Sequence, residues 1–347
     1  MTKYVGMDVH KASTSVTHQN DDGRVVSQMV IETRPRELIA AVSGYDERVE
    51  VAFEEAQWAA WLYELLRPHV DRVAVHRAGG HRNKTDAIDA RRLAKLLRLD
   101  ELDGVYHGPE VDTQLKILMK SYHRAKKNVI AEKNRIKDEF ISQQIDCPGT
   151  EVYQAEHRDK WLEKLEGEGA KLRATQAHQR LQLAVIQKDE AKNAMERAAK
   201  KREGWSSVSS LPGFGVVRTS TVLAIIGTPW RFPTKQKLWS YVGLGVDLDE
   251  SSQYERQPDG EFRRKEVQRT RGLTNDYNRR LKDAFKGAAE TAIREYEEVD
   301  QDYRARCRRK DESLARLDIA RKLVSQCWTI WKRKEEYDAD KACWDQL

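Results

Sequence analysis

Residues 3–32 read KYVGMDVHKASTSVTHQNDDGRVVSQMVIE. Three short runs rich in β-branched residues stand in it: KYVGMDVH at 3–10, STSVTHQ at 13–19 and RVVSQMVIE at 24–32. Lys11-Ala12 parts the first two, and Asn20-Asp21-Asp22-Gly23 parts the second and third. Asn, Asp and Gly adopt turn conformations that β-branched residues avoid, so the second break is a strong hairpin signal. Connections this short join antiparallel neighbours, because a parallel crossover needs about a dozen residues or more. The stretch predicts an antiparallel three-stranded meander.

Working outward, a helical pattern follows at 34–45 (RPRELIAAVSGY), then a strand at 49–53 (VEVAF) and a Trp- and Leu-rich helix at 58–69 (WAAWLYELLRPH). A strand at 71–76 (DRVAVH) and a helix at 86–99 (DAIDARRLAKLLRL) complete the run. The order β-β-β-α-β-α-β-α is that of the ribonuclease-H-like fold, here over residues 1–110.

The texture then changes. Leu115, Tyr122, Val129 and Ile136 recur every seven residues, with Leu118 and Ala125 between them. After Cys147-Pro148-Gly149 the pattern resumes at Ala177, Leu181, Ala184, Ala191, Met195 and Ala198. Two heptad helices joined by a Pro-Gly turn predict an antiparallel coiled-coil hairpin over 111–203, a structural feature that favours oligomers. Residues 204–347 form a mostly helical third unit closing on helices with Trp328 and Trp331. These two, with Trp58 and Trp61, are spaced for core packing. The fold class is α/β plus α.

Composition narrows the function. The chain has 347 residues, a net charge of +6 and four cysteines, at 147, 307, 327 and 343. The cysteines show no Cys-x-x-Cys spacing, which argues against a zinc site or disulfide framework and for a reducing cytoplasm. No apolar run approaches the ~18 residues of a membrane span, and no leader precedes the first strand.

Acidic residues carry the chemistry. Asp8 sits inside an apolar strand, Glu54 ends another, and Asp86 and Asp89 stand three apart at a helix start, on one face. A carboxylate among core residues is costly unless compensated, and a divalent cation is one standard compensation. Four such groups suit Mg²⁺ (or Mn²⁺) and metal-assisted phosphoryl displacement. Glu54 is preferred over Glu55 because it directly follows Phe53. His10 follows Asp8 by two, so in a strand it shares that face and could touch a metal-bound phosphate, but it is read as an ordinary half-buried histidine.

The C-terminal half points to nucleic acid. In LPGFGVVRTSTVLAIIG (211–227), Gly213 and Gly215 allow a tight turn whose backbone N–H groups can approach a phosphate, in the manner of a helix-hairpin-helix. A purely structural turn is the competing reading. Residues 256–282 carry nine Lys or Arg against four Asp or Glu. Arg256, Arg263, Arg264, Lys265, Arg269, Arg271, Arg279 and Arg280 are candidate phosphate contacts, as are Lys11 and Lys84 beside the acidic motifs.

GMDVHK, the strand-terminal Glu and NKTDAIDARRLA together resemble the Asp-Glu-Asp-Asp transposases of bacterial insertion sequences. That family includes bridge-RNA-guided recombinases and is related to Piv-type DNA invertases. The resemblance covers nearly the whole chain. It implies a RuvC-like N-terminal domain whose Asp8, Glu54, Asp86 and Asp89 hold Mg²⁺. Phe232, Tyr241, Gly243 and Leu244 match the family run that precedes a nucleophilic serine, which places Ser251, or its neighbour Ser252, in that role. Here Ser251-Ser252 replaces the family's Ser-Gly, and RTRGLTNDYNRR lacks its Ser-Lys pair. The resemblance further implies donor and target DNA, a phosphoserine intermediate, a structured guide RNA and a homo-oligomer (dimer or tetramer) with a composite site. A RuvC-like nuclease that uses water, and a non-catalytic DNA-binding relative, are the rival readings.

Overall fold

The computed structural model describes residues 1–77, 86–108, 113–248, 254–264 and 270–342. It divides into two compact units, Met1–Pro109 and Glu110–Leu347.

The first unit is a six-stranded sheet with helices on both faces. Its strands are β1 (Thr2–Val9), β2 (Ser13–Gln19), β3 (Val25–Glu32), β4 (Arg48–Glu54), β5 (Arg72–His76) and β6 (Gly104–Val105), in the order β3-β2-β1-β4-β5-β6. The predicted meander is present: β1 pairs antiparallel with β2, and β2 with β3. The Asn20–Gly23 turn closes as expected, with Gly23 at φ 80° and its N–H donating to the Asn20 carbonyl at 2.9 Å. β1 and β4 pair in parallel, as do β4 and β5. The short β6 has no periodic signal; it is an edge strand formed by pairing with β5.

Three helices cover this sheet: α1 (Pro35–Ala40), α2 (Ala59–Leu66) and α3 (Asp86–Arg98). Leu38 of α1 and Ala59, Leu62 and Leu66 of α2 pack with Val5, Met7, Val51 and Phe53 on one face. Leu93 and Leu97 of α3 pack with Ala52 and Tyr4 on the other. Of the tryptophans expected in the core, Trp331 is buried, but Trp61 is 45% exposed. Leu62 and Leu66 already fill the inward face of α2, so Trp61 is left on the outside.

In the second unit, α4 (Thr113–Ile141) and α6 (Glu168–Ala199) lie side by side. They run antiparallel: Phe140 at the end of α4 meets Ala174 and Ala177, whereas Leu115 and Met119 share a core with Met195 and Ala199. The expected Pro-Gly turn between them is replaced by a longer connection, residues 142–167, holding α5 (Arg158–Leu162). Cys147, Val152, Trp161 and Leu165 from this segment pack on the tips of both helices, with Trp161 edge-on to Phe140 at 5.4 Å. Those apolar residues need a core, and the helix tips supply one.

The remaining elements are α7 (Trp205–Ser209), α8 (Val216–Ile226), α9 (Lys235–Val242), β7 (Val246–Leu248), β8 (Tyr254–Arg256), β9 (Phe262–Arg264), β10 (Thr270–Leu273), α10 (Arg279–Glu295), α11 (Glu297–Cys307) and α12 (Glu312–Arg333). β7 pairs with β10, and β8 with β9. Apart from Arg218 near its start, α8 is apolar or small, and Thr219 to Ile226 are buried; a helix this poor in polar residues belongs inside a core. It is packed by α4, α6, α7 and α10. No described helix is long and apolar enough to cross a membrane.

Candidate metal centre and nucleic-acid surfaces

Side-chain alternation sorts β1 and β4 onto two faces. Val5, Met7, Val49, Val51 and Phe53 point into the core beneath α1 and α2. Gly6, Asp8, Ala52 and Glu54 therefore occupy the face that α3 covers. Met7 and Phe53 are register partners, so Asp8 and Glu54 come next at the carboxyl ends of adjacent parallel strands. Open α/β sheets place ligand-binding groups at such ends. Glu55 is engaged elsewhere, its carboxylate 2.8 Å from Nε2 of His107 and its N–H donating to the His76 carbonyl at 2.7 Å.

The first turn of α3 brings Asp86 and Asp89 toward Asp8. His10 Nε2 stands 3.3 Å from the Asp8 carboxylate and 3.4 Å from that of Asp86. One ligand atom from each of Asp8, His10 and Asp86 lies within 4.8 Å of the others. Burial holds the Asp8 carboxyl above its ordinary range, His10 opposes this, and the nearby Asp86 and Asp89 charges add to the rise. Carboxylates that repel one another across a half-buried gap are what a divalent cation would relieve. Oxygen donors with one imidazole fit Mg²⁺ or Mn²⁺.

His10 is therefore not the half-buried histidine of the sequence reading. β1 ends at Val9, the His10 N–H donates to the Ser13 carbonyl at 3.0 Å, and the ring is left exposed between two carboxylates. Its place two residues after Asp8 was the available signal.

In the second unit Gly213 lies in the left-handed region at φ 74°, and a Cβ there would overlap the Ala288 carbonyl of α10. Arg218 donates to the Gly213 carbonyl at 2.6 Å and to Thr291 Oγ1 at 3.0 Å, locking the turn onto α10. Gly215 precedes α8 with open space around it, and lines one cleft with Arg279 and Arg280. Lys126, Lys127 and Lys192 line the same cleft, although their helices carry a heptad pattern that reads as structural. Arg256 is exposed on the β8–β9 hairpin, and Arg263 pairs with Asp259 at 2.8 Å. Arg264 and Arg271 belong to β9 and β10, and Lys11 is exposed in the β1–β2 turn. Ser251, Ser252, Lys84, Lys265 and Arg269 lie outside the described residues.

Two stretches match family models. Residues 5–140 match a DEDD-type IS110 model described as "Transposase", and residues 206–304 match one described as "Transposase IS116/IS110/IS902 family". No curated protein matches the chain.

Proposed function

Since the chain belongs to the DEDD-type IS110 transposases and is therefore a DNA transposase, we propose that it cuts and rejoins DNA strands through a metal-dependent site built on Asp8, Glu54, Asp86 and Asp89. The observation that carries this is the meeting of Asp8, His10 and Asp86 at the carboxyl edge of the sheet, with Glu54 on the same face. A divalent cation held there would offset the charge of the leaving oxygen, a stabilisation of several kcal/mol. Asp8, Glu54, Asp86 and Asp89 would hold that cation, and His10, exposed beside Asp8 and Asp86, would contact a bound phosphate.

Ser251 is the proposed nucleophile. Its Oγ forms a bond to phosphorus as the phosphodiester P–O bond breaks. The hydroxyl proton passes to a base and the departing DNA end keeps the oxygen. The phosphoserine link conserves the bond energy, so a second DNA hydroxyl can reverse the step on a new partner. We assign residues 1–110 to the metal site, 111–203 to a coiled-coil arm that pairs protomers, and 204–347 to the helix-hairpin-helix and serine. A structured RNA is the proposed guide.

The test is strand cleavage of the element's own ends with Mg²⁺ or EDTA, with covalent adducts read on denaturing gels. Asp8→Asn is expected to abolish both cleavage and adduct, and Ser251→Ala to abolish the adduct. Cleavage that continues without adduct in Ser251→Ala would instead make water the nucleophile.

A further inference from the structure

The second unit contains a cleft of about 1010 Å³ walled by α4, α6, α8 and α10. Lys126, Lys127, Lys192, Arg218, Arg279 and Arg280 line it, against one carboxylate, Asp283. Elsewhere in this unit cations are commonly paired: Arg180 with Glu132, Arg173 with Glu139, Lys200 with Glu196 and Arg316 with Glu312. Among the described residues Lys126, Lys127, Lys192, Arg279 and Arg280 form no ion pair. Like charges gathered around a concave surface repel one another until an anion enters, and low-dielectric walls concentrate their field.

Two further features aim at the same space. Residues at the N-terminus of α8 (Gly215, Val216, Val217), which has no side-chain cap, line it, as do Asn278 and Arg279 at the start of α10, where Asn278 Oδ1 already accepts from the Leu281 N–H. First-turn N–H groups lack intrahelical acceptors and carry the positive end of the helix dipole. His123 of α4 also lines the cleft, and its Nε2 is buried with no hydrogen-bond partner. Burial lowers the basicity of His123, Arg280, Lys126 and Lys127 lower it further, and Asp283 opposes them.

Base stacking is not what this surface offers. Tyr122 is buried in the core, and Tyr277 packs against Gly243 with the Lys282 ammonium 4.1 Å from its ring centroid. Charge and N–H donors without an open aromatic face suit a sugar-phosphate backbone.

We propose that this cleft binds the phosphodiester backbone of a nucleic acid, with Lys126, Lys127, Lys192 and Arg280 on the phosphates and the α8 N-terminus as an anion seat. The assignment rests on the transposase reading, and it places a nucleic-acid surface on the root of the helical pair. Binding there is sequence-independent and salt-dependent.

Fluorescence anisotropy in EDTA separates this from strand cleavage. The probes are labelled duplex DNA, single-stranded DNA and single-stranded RNA, each over a salt series. The variant is Lys126→Gln/Lys127→Gln/Arg280→Gln, and the control is the matched Arg158→Gln/Lys160→Gln/Lys164→Gln near the tip of the helical pair. Affinity of the cleft variant for at least one probe is expected to fall on the order of 10- to 100-fold. Its log–log salt slope should shrink by about 0.7–0.9 per lost phosphate contact. The probe that loses most identifies the backbone held. Equal losses in cleft and control variants, or an unchanged slope for every probe, overturn the cleft. If the unmodified chain binds none of the probes, the transposase reading itself fails. Should the triple variant unfold, Lys126→Gln and Arg280→Gln alone, both at exposed positions, carry the same slope readout.

Discussion

Gly6 of β1 and Ala90 of α3 meet backbone to backbone: a Cβ on Gly6 would overlap the Ala90 carbonyl oxygen and stand 2.5 Å from the Ala94 nitrogen. The missing side chain lets α3 lie directly on the strand that carries Asp8. The first turn of α3, with Asp86 and Asp89, is thereby held beside Asp8. The glycine of GMDVH is thus a spacing device for the acidic cluster.

Gly6→Ala is accordingly expected to push α3 off the sheet. Overpacking against backbone costs about 1–3 kcal/mol, read as a lower melting temperature. Cleavage should fall more than stability explains, because Asp86 moves away from Asp8. Wild-type cleavage at full occupancy of the folded state would show that the close approach is unrelated to the site.

The two glutamates at the end of β4 should separate cleanly. Glu54→Gln removes a carboxylate from the face that bears Asp8, and single-turnover cleavage is expected to drop about 100-fold or more, a loss of roughly 3 kcal/mol of transition-state stabilisation. Glu55→Gln loses the bond to His107 and about 1 kcal/mol or less of stability, with cleavage kept within a few-fold. The reverse ranking would move the acidic site to the other face of the sheet.

Gly213 and Gly215 have different jobs. Gly213→Ala forces a non-glycine residue to φ 74° against the Ala288 carbonyl. A left-handed residue alone costs about 1–2 kcal/mol, and the overlap adds to that, so chemical denaturation should show a clear loss. Gly215→Ala meets open space at φ −97° and should change stability by less than about 1 kcal/mol. Comparable losses for both would remove the distinction between a packing glycine and a surface one.

His18 links stability to pH. Its Nε2 is 2.9 Å from the Ala41 carbonyl and its Nδ1 2.9 Å from Ser27 Oγ, an arrangement suited to the neutral ring. Burial lowers its pKa below the ordinary 6.5, the Ala41 carbonyl opposes this, and Lys3 adds to the lowering. The unfolded chain then binds the proton more readily, so the contribution of His18 is complete above pH 6.5 and is lost as pH falls below it. His18→Gln carries no such proton. The melting-temperature gap between wild type and His18→Gln should narrow on acidification, and a gap independent of pH between 7 and 5 would contradict the buried neutral ring.

Local pattern made much of this chain legible. Strand alternation, the Asn20–Gly23 turn and the three-residue spacing of Asp86 and Asp89 depend on near neighbours, and all appear in the fold where the residues predict them. The α/β unit and the mostly helical remainder follow from the same periodicities. Other features arise from contacts between residues far apart in the chain. Which face of the sheet α3 covers depends on Gly6 meeting Ala90, so the convergence of Asp8 with Asp86, and the bridging place of His10, required the folded chain. Trp161 and Leu165 show no periodic signal, yet they build a core on the helix tips because their apolar area must leave water. The lysines of α4 and α6 read as the solvated side of a heptad helix. They became the wall of a cleft only once α8 and α10 packed against them, because burial patterns are local properties and concavity is not.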